Sequence, residues 1–275
     1  MQNFFIFAQF KSSILIYVLI IENYSLVKFF MKWESNIMRE EYHKWHSNDL
    51  DREFEMLIFG HYGYPIVLFP TFNAHYWEAK DYGLINSASH LIDSGQIKIY
   101  CPEGVDYLSW DNNLIEPAEK VLTQMAYETA ILSDVIAFIR HETSLERVGV
   151  AGCNFGAYQA LNLAFRHPDL VEKLICIGGF FDIKPFINNY YDDNCYFNNP
   201  PDYLSNLTDN WYLDKFRTMK IILGTGESDQ YSQQSKNISE ILRSKNVNHW
   251  LDIRPNTGHN WEFWREVFPK YLMQI

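Results

Sequence analysis

The run Val148-Gly-Val-Ala-Gly-Cys-Asn-Phe-Gly-Ala157 limits what this chain can fold into more than any other stretch. Val148 to Ala151 is apolar and β-rich, Gly152-Cys153-Asn154-Phe155-Gly156 follows, and a helical pattern begins at once. A strand that turns into a helix without a linker crowds its own backbone. Glycines two residues before and two after the central position relieve that crowding. The central residue takes a positive φ, and Asn is among the non-glycine residues that tolerate it best. A turn of this kind presents its central side chain at the end of a buried strand, where Ser, Cys or Asp can attack a substrate. Asn154 is a carboxamide with no ionisable proton and little nucleophilicity, so it keeps the turn and removes the attacking group.

The surroundings alternate in period. Glu53–Phe59 alternates as a strand, Gly60–Gly63 reads as a turn, and Pro65–Phe69 as a more buried strand, which together predict a hairpin. Asp81–Ser94 is predicted helical and Lys98–Cys101 a short strand. Pro117 opens a long helix to about His141, with Val121, Met125, Leu132, Val135 and Ile139 as its buried stripe. Phe155–His167 is a helix ended by Pro168. Strands at Leu174–Ile177, Ile221–Leu223 and His249–Ile253 alternate with helices at Ser232–Lys245 and Trp261–Leu272. Continuous apolar strands alternating with helices imply an α/β fold, a mainly parallel central sheet with helices on both faces. The alternation stops between Gly179 and Lys215. This insertion, about 180–215, is read as a small cap over the cleft at the strand ends.

A chain of 275 residues with 47% hydrophobic residues suits one large domain, and neither repeats nor low-complexity linkers divide it. Residues 31–275 are taken as that domain. Residues 1–30 are an apolar extension, interrupted by Gln9, Lys11, Ser12 and Ser13, with an unbroken run (Ile14–Ile21) too short to span a bilayer. Met31 and Met38 offer plausible starts, and folding is expected not to need residues 1–30. The net charge of −11 repels phosphate backbones and anionic membranes, so no nucleic-acid or membrane partner is expected. Cys101, Cys153, Cys176 and Cys195 lack zinc or C-x-x-C spacing and read as buried free thiols, which suits a cytoplasmic location.

Two later segments complete a possible site. Leu223-Gly-Thr-Gly-Glu-Ser-Asp229 places an acid after a strand, and Thr257-Gly-His-Asn-Trp261 places a histidine before the last helix. The order of elbow, acid and His is that of α/β-hydrolases. In such a triad the His takes the nucleophile's proton while the acid fixes its tautomer. Asp229 also fits as a helix cap, and Glu227 is a rival acid. The backbone N–H of Phe155 and of Phe72, with Asn73 next, are the candidate oxyanion donors. Cys153 sits one residue early for a nucleophile. Asp192-Asp193-Asn194 reads as a solvated loop, and no metal is expected.

Phe69-Pro-Thr71, Gly152–Tyr158, Ala164-Phe-Arg-His-Pro168, Gly224–Asp229, His249-Trp-Leu-Asp252 and Gly258-His-Asn-Trp261 carry a family resemblance. From about Met38 to Ile275 the chain resembles the small bacterial esterases of the α/β-hydrolase superfamily, related in fold to esterase D and S-formylglutathione hydrolase. The resemblance implies carboxylic-ester hydrolysis by a Ser–Asp–His triad, with Ser where this chain has Asn154, the acid at Asp229 and the His at His259. It implies no cofactor or metal and a small ester or carboxylate as ligand. Three readings follow: an esterase disabled at its nucleophile, a hydrolase using His259 as general base on water, or a structural or ligand-binding protein unrelated to esters.

Overall fold

The computed structural model describes residues 38–275, so the expected extension at 1–30 lies outside the described residues. Arg39–Ile275 forms one compact unit. Its eight strands are β1 (Glu40–Ser47), β2 (Arg52–Phe59), β3 (Tyr64–Phe69), β4 (Ile97–Pro102), β5 (Val148–Cys153), β6 (Val171–Ile177), β7 (Lys220–Gly226) and β8 (Trp250–Arg254). They form one sheet in the order β1-β2-β4-β3-β5-β6-β7-β8. β1 and β2 are antiparallel to their neighbours, and β4 through β8 run parallel. The sheet is covered on both faces, as the α/β pattern requires.

The expected hairpin between Glu53–Phe59 and Pro65–Phe69 does not form. β4 lies between these two strands, and the antiparallel partner of β2 on its other side is β1, in register from Glu40 opposite Phe59 to Ser47 opposite Arg52. The reason lies in β3, where Pro65 to Phe69 is buried throughout. A strand apolar on both faces needs a central place between parallel neighbours, here β4 and β5. Gly60 and Gly63, at φ 101° and 122°, carry the chain around to that place. β1 escapes a pattern reading because its inward set is Glu41, His43, Trp45 and Ser47, two of them ionisable. His43 packs edge-on against Phe138 and Trp45 tilts against Phe54, so the face is half-buried without being apolar.

The helical stretch expected at Asp81–Ser94 is three short helices, α1 (Glu78–Asp81), α2 (Leu84–Ser87) and α3 (Ser89–Asp93), interrupted by Gly83 at φ 73°. The long helix from Pro117 is α4 (Pro117–Ala130), one widened π segment (Ile131–Ile136) and α5 (Ala137–Thr143). The buried stripe differs from the expected one. Val121, Val135 and Ile139 are buried, Met125 and Leu132 only half-buried, and Tyr127 and Ile131 take core places instead. α6 (Phe155–Arg166) is buried along nearly its whole length. The insertion holds α7 (Asp193–Phe197), α8 (Pro200–Asn206) and α9 (Asn210–Thr218), followed later by α10 (Ser232–Ser244) and α11 (Trp261–Leu272). α7 is tied to α6 by Tyr158 Oη donating to Asn198 O and Arg166 donating to Phe197 O, and α8 by Tyr203 Oη donating to Asn162 Oδ1.

Candidate functional site

The turn between β5 and α6 holds Asn154 at φ 53° and ψ −118°. Its backbone is fixed on both sides. Asn154 N donates to Ile177 O at 3.0 Å, and Asn154 O accepts from Ala157 N and Phe180 N at 3.2 Å. The flanking glycines are steric necessities. A Cβ on Gly152 would lie 2.1 Å from the Gly156 carbonyl, and one on Gly156 would lie 2.5 Å from the backbone oxygens of Phe69 and Pro70.

β7 and the loop before α11 bring the other two residues to this turn. Asp229 is fully buried at its side chain, and its Oδ2 lies 3.0 Å from His259 Nδ1. Its other oxygen accepts from Tyr231 N at 2.7 Å, so the residue also caps the turn leading into α10. His259 Nε2 lies 2.8 Å from Asn154 Nδ2. An amide nitrogen can only donate, which assigns Nε2 as acceptor and Nδ1 as the protonated nitrogen facing Asp229. Gly178, at φ 56°, makes room for the pair, since a Cβ there would sit 2.9 Å from Asp229 Oδ2 and 3.1 Å from His259 Nδ1. Asn260 caps α11 by accepting from Phe263 N, which holds the histidine loop at the helix end.

The loop after β3 supplies a third contact. Phe72 N donates to Asn154 Oδ1 at 3.4 Å, while its two neighbours are pinned by carboxylates. Thr71 donates through N and Oγ1 to Glu78, at 2.9 and 2.6 Å, and Asn73 N donates to Asp106 Oδ2 at 3.3 Å. Asn73 N is therefore committed elsewhere. As the first residue of α6, Phe155 has an N–H with no intrahelical acceptor. Glu227 is exposed and accepts from Asn256 N, away from His259. Cys153 is buried, and burial raises its thiol pKa well above the ordinary value, so it is a neutral thiol. Asp192 caps α7 through Cys195 N. Among the described residues no cluster of metal-ligating side chains occurs.

Sequence reasoning missed Glu78 and Asp106, which position the Phe72 loop, because neither sits in a recognisable motif. It also missed an aromatic wall. Phe72 stacks on Phe186, Phe155 and Phe180 pack against Phe186, and Tyr231 meets both Phe180 and His259 edge-on. Phe180 and Phe186, at the start of the insertion, thus pack against Phe155 beside the elbow. A cavity of about 540 Å³ lies away from the elbow, between Arg166, Tyr196, Tyr203 and Tyr212.

Burial pushes Asp106 up to about 7, assisted by Asp111 and Glu78 and opposed by the hydrogen bonds from Asn73 and Gln159. A raised folded-state value means that the native protein holds this proton between about pH 4 and 7 while the unfolded chain releases it. Stability is therefore fully present at acid pH and lost as pH rises through that window. The loss attributable to Asp106 between pH 5 and 7 should be on the order of 2–3 kcal/mol. Denaturant titrations of the native chain and Asp106→Asn should show a steeper decline with pH in the native chain. Parallel pH curves would remove Asp106 as the cause.

Residues 87–275 match the family model described as "Putative esterase". The chain belongs to this esterase family. Asn154, Asp229 and His259 fall inside the matched region, and the Phe72 loop precedes it. Among solved structures, the fold is similar to a ferulic acid esterase at 16% identity and TM-score 0.69, covering 86% of this chain and 96% of that one. It is also similar to an S-formylglutathione hydrolase from Agrobacterium tumefaciens at 12% identity and TM-score 0.66, covering 86% and 94%. An S-formylglutathione hydrolase from Staphylococcus aureus matches at 15% identity and TM-score 0.62, covering 86% and 98%. A search of curated proteins gave no match. The sheet order with its parallel body is that of the α/β-hydrolase fold.

Proposed function

We propose that this esterase-family chain has lost covalent ester hydrolysis and keeps its cleft to bind a small ester or aromatic carboxylate. One observation carries the reading. The Asn154 carboxamide engages both groups that a triad would use, donating to His259 Nε2 and accepting from Phe72 N–H. A working nucleophile would place a hydroxyl on the first and leave the second to the substrate's carbonyl oxygen. The carboxamide fills both places and attacks nothing. The 3.4 Å contact to Phe72 N is long, so a ligand carboxylate can compete for that donor.

The aromatic wall of Phe72, Phe155, Phe180, Phe186 and Tyr231 favours a flat aromatic ligand. A related esterase from Anaeromyces mucronatus is described in complex with ferulic acid. Water activation by His259 is the weaker alternative, because the Asn154 carboxamide takes the place beside Nε2 that an attacking water would need. Four buried free cysteines favour a reducing, cytoplasmic setting, and no helix among the described residues is long and apolar enough to cross a membrane.

The native chain is expected to turn over short-chain aryl esters at background rates, to stay unlabelled by an organophosphonate probe, and to bind ferulic acid in calorimetry. Enzyme-like turnover would overturn the reading. An absence of binding by any aromatic carboxylate tested would leave a scaffold without a ligand role.

A further inference from the structure

The backbone conformation that serves a nucleophile also exposes an asparagine to its own chain. At ψ −118° the nitrogen of Phe155 lies on the Cβ side of the Asn154 Cα–C bond and nearly eclipses Cβ. For a serine this brings the following N–H beside the side chain, as an oxyanion donor requires. For an asparagine it brings the following nitrogen toward Cγ, in the arrangement of a five-membered ring through Cα, C, N, Cγ and Cβ. Flexible chains seldom hold this geometry, because φ 53° is costly for a residue with a Cβ. Here the hydrogen bonds to Ile177, Ala157 and Phe180 fix it.

Two further groups stand where the ring closure needs them. The leaving nitrogen, Nδ2, is 2.8 Å from His259 Nε2, within reach of a group that can protonate it. The oxygen that gains charge, Oδ1, faces Phe72 N–H. Phe155 N–H has no intrahelical acceptor to hold it.

We propose that Asn154 is a self-modifying residue that cyclises onto Phe155 N to form an aminosuccinyl ring with release of ammonia. The bond from Phe155 N to Cγ forms and the Cγ–Nδ2 bond breaks. The Phe155 amide proton passes to His259 Nε2 and from there to Nδ2, so ammonia departs and no net charge or redox change occurs. Solvent water then opens the imide and leaves a carboxylate at position 154 or an isoaspartyl linkage. The proposal rests on the contact between His259 and Asn154 and is independent of any activity toward esters.

The test is peptide mass spectrometry of the folded native chain, sampled over weeks at neutral pH. The peptide holding Asn154 is expected to lose about 17 Da, and then to gain about 1 Da over the starting mass with an isoaspartyl fraction. Asn73, Asn188, Asn189, Asn246 and Asn256 also sit at positive φ and serve as internal controls, expected to react far more slowly. His259→Ala is expected to slow the change about a hundredfold. If that variant fails to fold by circular dichroism, Asp229→Asn replaces it and is expected to slow the change as well. An unchanged Asn154 would overturn the proposal. Equal rates in the native chain and the folded variant would also overturn it. A gain of about 1 Da with neither imide nor isoaspartate would mean that water attacked directly, and would overturn the cyclisation.

Discussion

Asn154→Ser is expected to raise ester hydrolysis far above that of the native chain. The substitution removes the carboxamide from His259 Nε2 and from Phe72 N–H, and leaves a hydroxyl at the elbow. Asp229 already lies 3.0 Å from His259 Nδ1, so the imidazole is oriented to take the new hydroxyl's proton. Loss of a triad nucleophile costs about 10⁶ in kcat, which sets the scale of the expected gain. The measurement is turnover of an aryl-ester series, with organophosphonate labelling of the variant and not of the native chain. A folded variant that neither hydrolyses nor labels would show that more than the nucleophile has been lost.

Gly156→Ala is expected to be among the most destabilising single-methyl additions in the protein. Its Cβ would meet the backbone oxygens of Phe69 and Pro70 at 2.5 Å. Main-chain atoms at the end of a buried central strand cannot rotate away, so either α6 lifts from the sheet or the loop after β3 shifts. The expected cost is about 4 kcal/mol or more, at the severe end for point substitutions. Chemical denaturation checks it, and a variant within about 1 kcal/mol of the native chain would contradict the packing described. The same shift carries Phe72 N–H away from Asn154, so Gly156→Ala placed on the Asn154→Ser background should also lower its turnover.

The elbow could be read from the chain because its requirements are local. Two glycines at fixed distance, a β-rich run before them and a helical run after them leave few other conformations for Gly152–Gly156. The central parallel strands were legible for a similar reason, since Val148–Cys153 and Leu174–Ile177 are apolar on both faces and admit only a covered place. β1 was not legible, because Glu41 and His43 occupy its inward face and erase the alternation that marks a strand. The partner of β2 was not legible either. Nothing in Gly60–Gly63 tells a chain whether it closes a hairpin or crosses to another position in the sheet.

Asn154, Asp229 and His259 could each be singled out by residue type and order along the chain, but Asp229 also fitted as an ordinary helix cap. Asp229 shows why order alone decides little, since it caps a turn with one oxygen and faces His259 with the other. Glu78 and Asp106 had no signature, because their work is to hold the backbone of the loop after β3. The sequence by itself determined the fold class, the elbow and the asparagine at its centre, because these follow from neighbouring residues and their periodicity. Only the tertiary structure decided that the carboxamide of Asn154 engages both His259 and Phe72, that aromatic rings pack beside the elbow, and that the half-buried Glu78 and the buried Asp106 pin the loop next to it. The contacts among Phe72, Asn154, Asp229 and His259 join residues 30 to 105 positions apart, and their distances depend on how β3, β5 and β7 align in one sheet.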